Sequence, residues 1–133
     1  MDPRRSVELQ AELRLPRAAV YPLFATQDGL ARWCDEATFA PDVGAPVRLR
    51  LGDAVAVGTV LAVDPPQHVS FSLDWEGEPL GAPSVVALDA IDHGERTHLT
   101  LRHVGLPAGR RRQDADEIWR RWFERLKAAA QAR

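Results

Sequence analysis

The sequence predicts an α+β fold: an antiparallel sheet, two short helices inserted after its first strand, and a long C-terminal helix laid across it. Three observations lead there. The segment "VELQAELRL" alternates apolar and polar residues, residues 46–105 repeat such alternation between turn signals, and residues 111–133 carry apolar side chains at three- and four-residue steps. Alternation buries one face of a strand and the longer spacing buries one stripe of a helix. The only partner large enough to cover that stripe is the sheet.

In the first strand Val7, Leu9, Ala11 and Leu13 share a face. Pro16 ends the alternation, and "RAAVYPLFA" turns to helical spacing with Val20, Leu23 and Phe24 on one side. Pro22 lacks an N–H and clashes with the preceding turn, so this helix should kink or break into short turns. Thr26 is placed to cap a second short helix, "QDGLARWCD", with Asp28 near its positive end and Leu30 and Trp33 on its buried side.

"PVRLRL" alternates Val47, Leu49 and Leu51 against Arg48 and Arg50, and "GD" at 52–53 is a turn signal. "AVAVGTVLAV" is a longer β-rich run in which Gly58 is expected to mark a bulge. After Pro65 and Pro66, "HVSFSLDW" directs Val69, Phe71, Leu73 and Trp75 to one face. The loop "EGEPLGAP" leads to "SVVALDAI", and "DHGER" turns the chain into "THLTLRHVG", which reads as a meander. On this last strand Leu99, Leu101 and His103 share the inner face, with His98, Thr100 and Arg102 on the other. The final helix presents Ala115, Trp119, Trp122, Phe123, Leu126 and Ala130 as an unusually aromatic stripe.

At 133 residues the chain is expected to form a single domain over residues 1–133, with one core and room for one internal pocket. Apolar residues at 45% and charged residues at 27% are those of a globular chain rather than a disordered one. No apolar run approaches a membrane span and the N-terminus lacks the apolar core of a secretory signal, so the cytoplasm is the expected location, with no membrane partner. A lone cysteine and the absence of zinc-like Cys/His spacing argue against a disulfide and a structural metal. A net charge of −2 gives no pull toward nucleic acid, and Arg110, Arg111 and Arg112 read as a solvated loop or helix start.

The order of these elements, with the residues that carry them, resembles the helix-grip superfamily of START-like and birch-pollen-allergen-like domains (SRPBCC). Within it, the chain is most similar to bacterial homologues of the C-terminal domain of the heat-shock protein 90 ATPase activator. The matching pieces are "LPRAAVYPLF", "DGLARW", "PDVGAPVRLRL", "GTVLAVDPPQHVSFSLDW", "ERTHLTLRHVGLP" and "WRRWFERLKAA", which cover nearly the whole chain in order. Pro22, Cys34, Ala45 and Ile118 depart from the family pattern. The resemblance implies a curved sheet gripped by the last helix with a cavity between them. It also implies three activities to weigh: binding of a hydrophobic or aromatic small molecule, polyketide cyclase or aromatase chemistry, and modulation of a chaperone ATPase. Binding is ranked first and the chaperone role below it, and no cofactor is expected.

The residues expected around that cavity are Tyr21, Trp33, Phe71, Leu73, Trp75, Leu101, His103, Trp119, Trp122 and Phe123. Aromatic side chains there could stack on a planar or lipid-like ligand, although an aromatic stripe at helical spacing is core packing more often than a binding box. An inward His is more often a satisfied core residue than a catalyst, so no residue is assigned a catalytic role. In an enzymatic reading Tyr21 and His103 would polarise a carbonyl and move a proton. His68 and His93 sit at strand ends and turns, and Asp74 and Asp89 are expected to face water. Asp35 and Glu36 follow the second helix and would border a pocket mouth. Cys34 sits near a helix C-terminus, where the dipole disfavours a thiolate, and is read as a small, half-buried neighbour of Trp33. An exposed sheet edge or the Trp-rich face would support a homodimer.

Overall fold

A computed structural model describes residues 4–77, 84–107 and 110–131. The elements run in the order β1 (Arg4–Leu13), α1 (Arg17–Val20), α2 (Pro22–Ala25), α3 (Gln27–Leu30), β2 (Glu36–Thr38), β3 (Pro46–Leu51), β4 (Ala54–Asp64), β5 (His68–Trp75), β6 (Ser84–His93), β7 (Arg96–Pro107) and α4 (Arg110–Gln131). All strands form one antiparallel sheet in the order β1-β7-β6-β5-β4-β3-β2. From β2 to β7 each strand pairs with its sequence neighbour, and β1 closes the far edge against β7. The three short helices carry the chain from one edge of the sheet to the other.

Pro22 divides the first helical segment as its chemistry requires. Tyr21 separates α1 from α2, and Pro22 opens α2 at a position where the missing N–H is not needed. Thr26 caps α3, its Oγ1 accepting from the Gly29 N–H at 2.9 Å. This helix is shorter than the sequence suggests, ending at Leu30. Turn hydrogen bonds from the Trp33 and Cys34 N–H groups to the Leu30 carbonyl then bring both side chains inward. The chain leaves that turn into β2, a three-residue strand that the sequence reading did not separate from its surroundings.

Two irregularities shape the sheet. Between Val60↔Phe71 and Ala62↔Ser70, Leu61 is the extra residue of a bulge, which turns its side chain out to solvent. Gly58, expected to be the bulge, instead lets two strands touch: a Cβ there would lie 1.7 Å from the Ser72 carbonyl oxygen. The second irregularity lies between Arg5↔Leu106 and Val7↔His103, where β7 sets two residues against one of β1 and Gly105 takes a φ of 85°.

The core lies between the inner face of the sheet and α4, which packs mainly on β1 and β7 with α2 beside it. All six residues of the α4 stripe are buried, as are Val69, Phe71, Leu73, Leu99, Leu101 and His103 on the strands. Residues 78–83 of the loop expected before β6 lie outside the described residues, as do the side chains of Arg110, Arg111 and Arg112, whose backbone opens α4. No helix among the described residues is long and apolar enough to cross a membrane.

Candidate functional site

At the level of Leu73 and His103, α4 and the sheet meet through indole rings. Trp119 and Trp122, three residues apart on α4, stand edge to face with ring centroids 4.8 Å apart. Trp75, the last residue of β5, reaches both, at 6.4 Å from Trp119 and 6.3 Å from Trp122, and stands 6.3 Å from the His103 ring. Trp33 closes the other side, edge-on to Trp122 at 6.1 Å. Trp33, Trp119 and Trp122 are buried and Trp75 is only partly so. The space expected to be a cavity is, among these rings, filled by side chains touching one another.

The polar side-chain atoms of the buried members of this cluster are committed, with one exception. Trp33 Nε1 donates to the Leu23 carbonyl at 2.7 Å. Trp119 Nε1 donates to His103 Nδ1 at 2.8 Å, His103 Nε2 lies 2.9 Å from Ser84 Oγ, and Ser84 Oγ donates to the Leu73 carbonyl at 2.5 Å. An indole N–H can only donate, so Nδ1 carries a lone pair and the proton sits on Nε2. The relay therefore has one consistent direction, Trp119 to His103 to Ser84 to the β5 backbone. Burial drives the His103 pKa down to about 4, which keeps the ring neutral. Ser84, which anchors the relay, was missed in the sequence reading. Its signal was alternation, since Ser84 shares the inward phase of Val86 and Leu88.

The exception is Trp122, whose Nε1 is buried without a hydrogen-bond partner. An unmet buried donor of this kind costs about 1–3 kcal/mol. The aromatic faces around it are weak acceptors at best.

The ten residues expected around the cavity do not form one site. Phe71, Leu73, Leu101 and Phe123 are buried core on the two facing surfaces. Tyr21 belongs to another end of the sheet: its hydroxyl donates to the His68 carbonyl at 2.9 Å, and its ring packs edge-on to Phe24. His68 begins β5, whereas His103 lies two strands across from it and, through Val86, level with Phe71, three residues or roughly 10 Å along at strand rise. The pairing of Tyr21 with His103 on one carbonyl is therefore corrected: the two lie apart, and each already has its hydrogen bonds. Burial, with Asp64 nearby, raises the Tyr21 pKa, so its proton is held rather than released.

Other polar residues fall into pairs at the surface. His68 Nδ1 lies 2.7 Å from Asp89, and Glu12 meets both His93 and His98 on the outer face, at 3.0 and 2.9 Å. Strand-end hydrogen bonds to carboxylates, rather than solvated loops, account for His68 and His93. Asp35 accepts from the Gly52 N–H at 2.7 Å and stands 3.5 Å from Arg125; the Gly52 bond first, then Arg125, hold its carboxyl below the ordinary range. With Leu51 and Arg120 it borders a surface depression of about 520 Å³ beside α4. Cys34 is more buried than expected, and that burial pushes its thiol up to about 12. Among the described residues no His, Cys, Asp and Glu side chains group to hold a metal ion.

A curved antiparallel sheet with short helices after its first strand and a C-terminal helix across its inner face defines a helix-grip, or SRPBCC, domain. Residues 14–131 match the family described as activator of Hsp90 ATPase homolog 1-like protein, and the chain belongs to that family. Solved structures of the same fold include an HSP90 activator from Plasmodium falciparum, at 18% identity and TM-score 0.80, covering 92% of this chain and 94% of that one. The Aha1 dimer from Colwellia psychrerythraea aligns at 16% identity and TM-score 0.79 over 96% of each chain. CalU16 from Micromonospora echinospora aligns at 22% identity and TM-score 0.77, over 96% of this chain and 77% of its own. No curated protein matches by sequence.

Proposed function

We propose that the protein binds a hydrophobic aromatic small molecule between the sheet and α4, the ligand taking the place of the Trp75 ring. The observation that carries this reading is the unequal burial of the tryptophans. Trp119, Trp122 and Trp33 form a fixed aromatic wall, and Trp75 alone keeps contact with solvent while touching that wall. A planar ligand that displaced Trp75 would recover the same edge-to-face contacts and bury its own apolar surface. Neutral His103 and the buried rings make this end of the core apolar, with few polar groups to fix orientation, as ligand pockets require.

The relay through His103 is closed on itself, which favours binding over chemistry. Titration with fatty acids, flavonoids and polyketide-type aromatics, followed by Trp fluorescence, tests the proposal. Saturable quenching or a spectral shift with an aromatic member is the expected result; an unchanged spectrum across the panel would reject it.

The family match supports a second reading, modulation of a chaperone ATPase through protein contact. Pull-down with a purified Hsp90-type chaperone separates the two readings. Recovery of a complex that the aromatic ligand does not compete for would favour the second.

A further inference from the structure

We infer that the indole N–H of Trp122 is the specificity-determining donor of this site, selecting aromatic ligands that carry a hydrogen-bond acceptor, a carbonyl or ether oxygen, beside the ring. The inference rests on the binding reading above and adds to it a chemical class. Of the three buried tryptophans, Trp33 and Trp119 each donate to a strong acceptor, the Leu23 carbonyl and His103 Nδ1. Trp122 is 0% exposed and its Nε1 has none. A donor left unmet in the free protein is free to be met in the complex, and the Trp122 ring that carries it stands edge to face with the partly exposed Trp75, centroids 6.3 Å apart. A purely apolar occupant of that position would leave the donor unmet, whereas an oxygen placed there would satisfy it.

The probes 2-acetylnaphthalene and 2-ethylnaphthalene share the naphthalene ring and a two-carbon substituent and differ in the carbonyl oxygen. Burial of apolar surface alone favours the ethyl compound, so a preference for the acetyl compound reports the hydrogen bond. The wild-type protein is expected to bind 2-acetylnaphthalene about five- to ten-fold more tightly. Trp122→Phe is expected to bring that ratio to one or below, and the ratio is insensitive to the volume lost because both probes experience it. Thermal unfolding of Trp122→Phe verifies the fold. In the wild-type protein the Trp122 indole proton is expected to move downfield in the ¹H–¹⁵N spectrum with the acetyl probe and not with the ethyl probe. Equal binding of the two probes, or a preference that survives in Trp122→Phe, overturns the inference while leaving ligand binding intact. Failure of both probes to bind the folded wild-type protein overturns the binding reading and this inference with it.

Discussion

The Trp119 indole N–H meets His103 Nδ1 at 2.8 Å in the buried core; that contact fixes the tautomer of the histidine, and burial keeps its ring neutral. Removing the ring orphans the Trp119 donor, while the Ser84 hydroxyl keeps its bond to the Leu73 carbonyl. His103→Ala is expected to destabilise the fold by about 3 kcal/mol or more, from the cavity and the unmet donor together. Urea unfolding measures it, and a change under about 1 kcal/mol would mean that the relay contributes little.

The same burial sets a pH dependence. His103 titrates near 4 in the folded protein and near its ordinary value of 6.5 in the unfolded chain. Between those values the unfolded chain binds one more proton, so the contribution is fully present above about pH 6.5 and is lost as pH falls toward 4. The shift corresponds to about 3 kcal/mol. Unfolding free energy measured from pH 7 to pH 4 should fall accordingly, and His103→Gln should flatten that slope.

Cys34 should be inert in the folded state. With its thiol pushed up to about 12, almost no thiolate is present at pH 8. A chromogenic disulfide reagent should label it only after denaturation, and rapid labelling of the folded protein would show that the site is more open than its burial indicates.

Gly58→Ala tests the close approach of β4 and β5. The new Cβ would meet backbone at the Ser72 carbonyl, which no rotamer change relieves. A loss of about 1–3 kcal/mol is expected by thermal unfolding.

Most of the fold was legible because its strands alternate cleanly. The β5 and β3 segments match the alternating runs residue for residue, and Leu99, Leu101 and His103 face inward as that period requires. Length is what hid β2: three residues are too few to show a period. Gly58 was misread because a strand glycine serves equally for a bulge or a close approach, and only the pairing register tells them apart. In the candidate site, the inward aromatic residues were readable from periodicity, but their mutual contacts were not. Whether Trp75, Trp119 and Trp122 surround a space or fill it depends on rotamers and on the distance between helix and sheet, which no sequence spacing encodes. Tyr21 was grouped with His103 because both are inward and polar, and their separation appears only once the hydrogen bond to His68 and the register from β5 to β7 are known.

The exchange of Trp75 for a ligand is tested most directly by the affinity of Trp75→Ala for 2-acetylnaphthalene, compared with wild type. If the ring and the ligand compete for one position, the free protein pays a conformational penalty that the substitution removes. Binding about ten-fold tighter in Trp75→Ala, with the fold intact, is the predicted result. Equal or weaker binding would contradict the account, because it would mean that the ligand does not occupy the place of the indole.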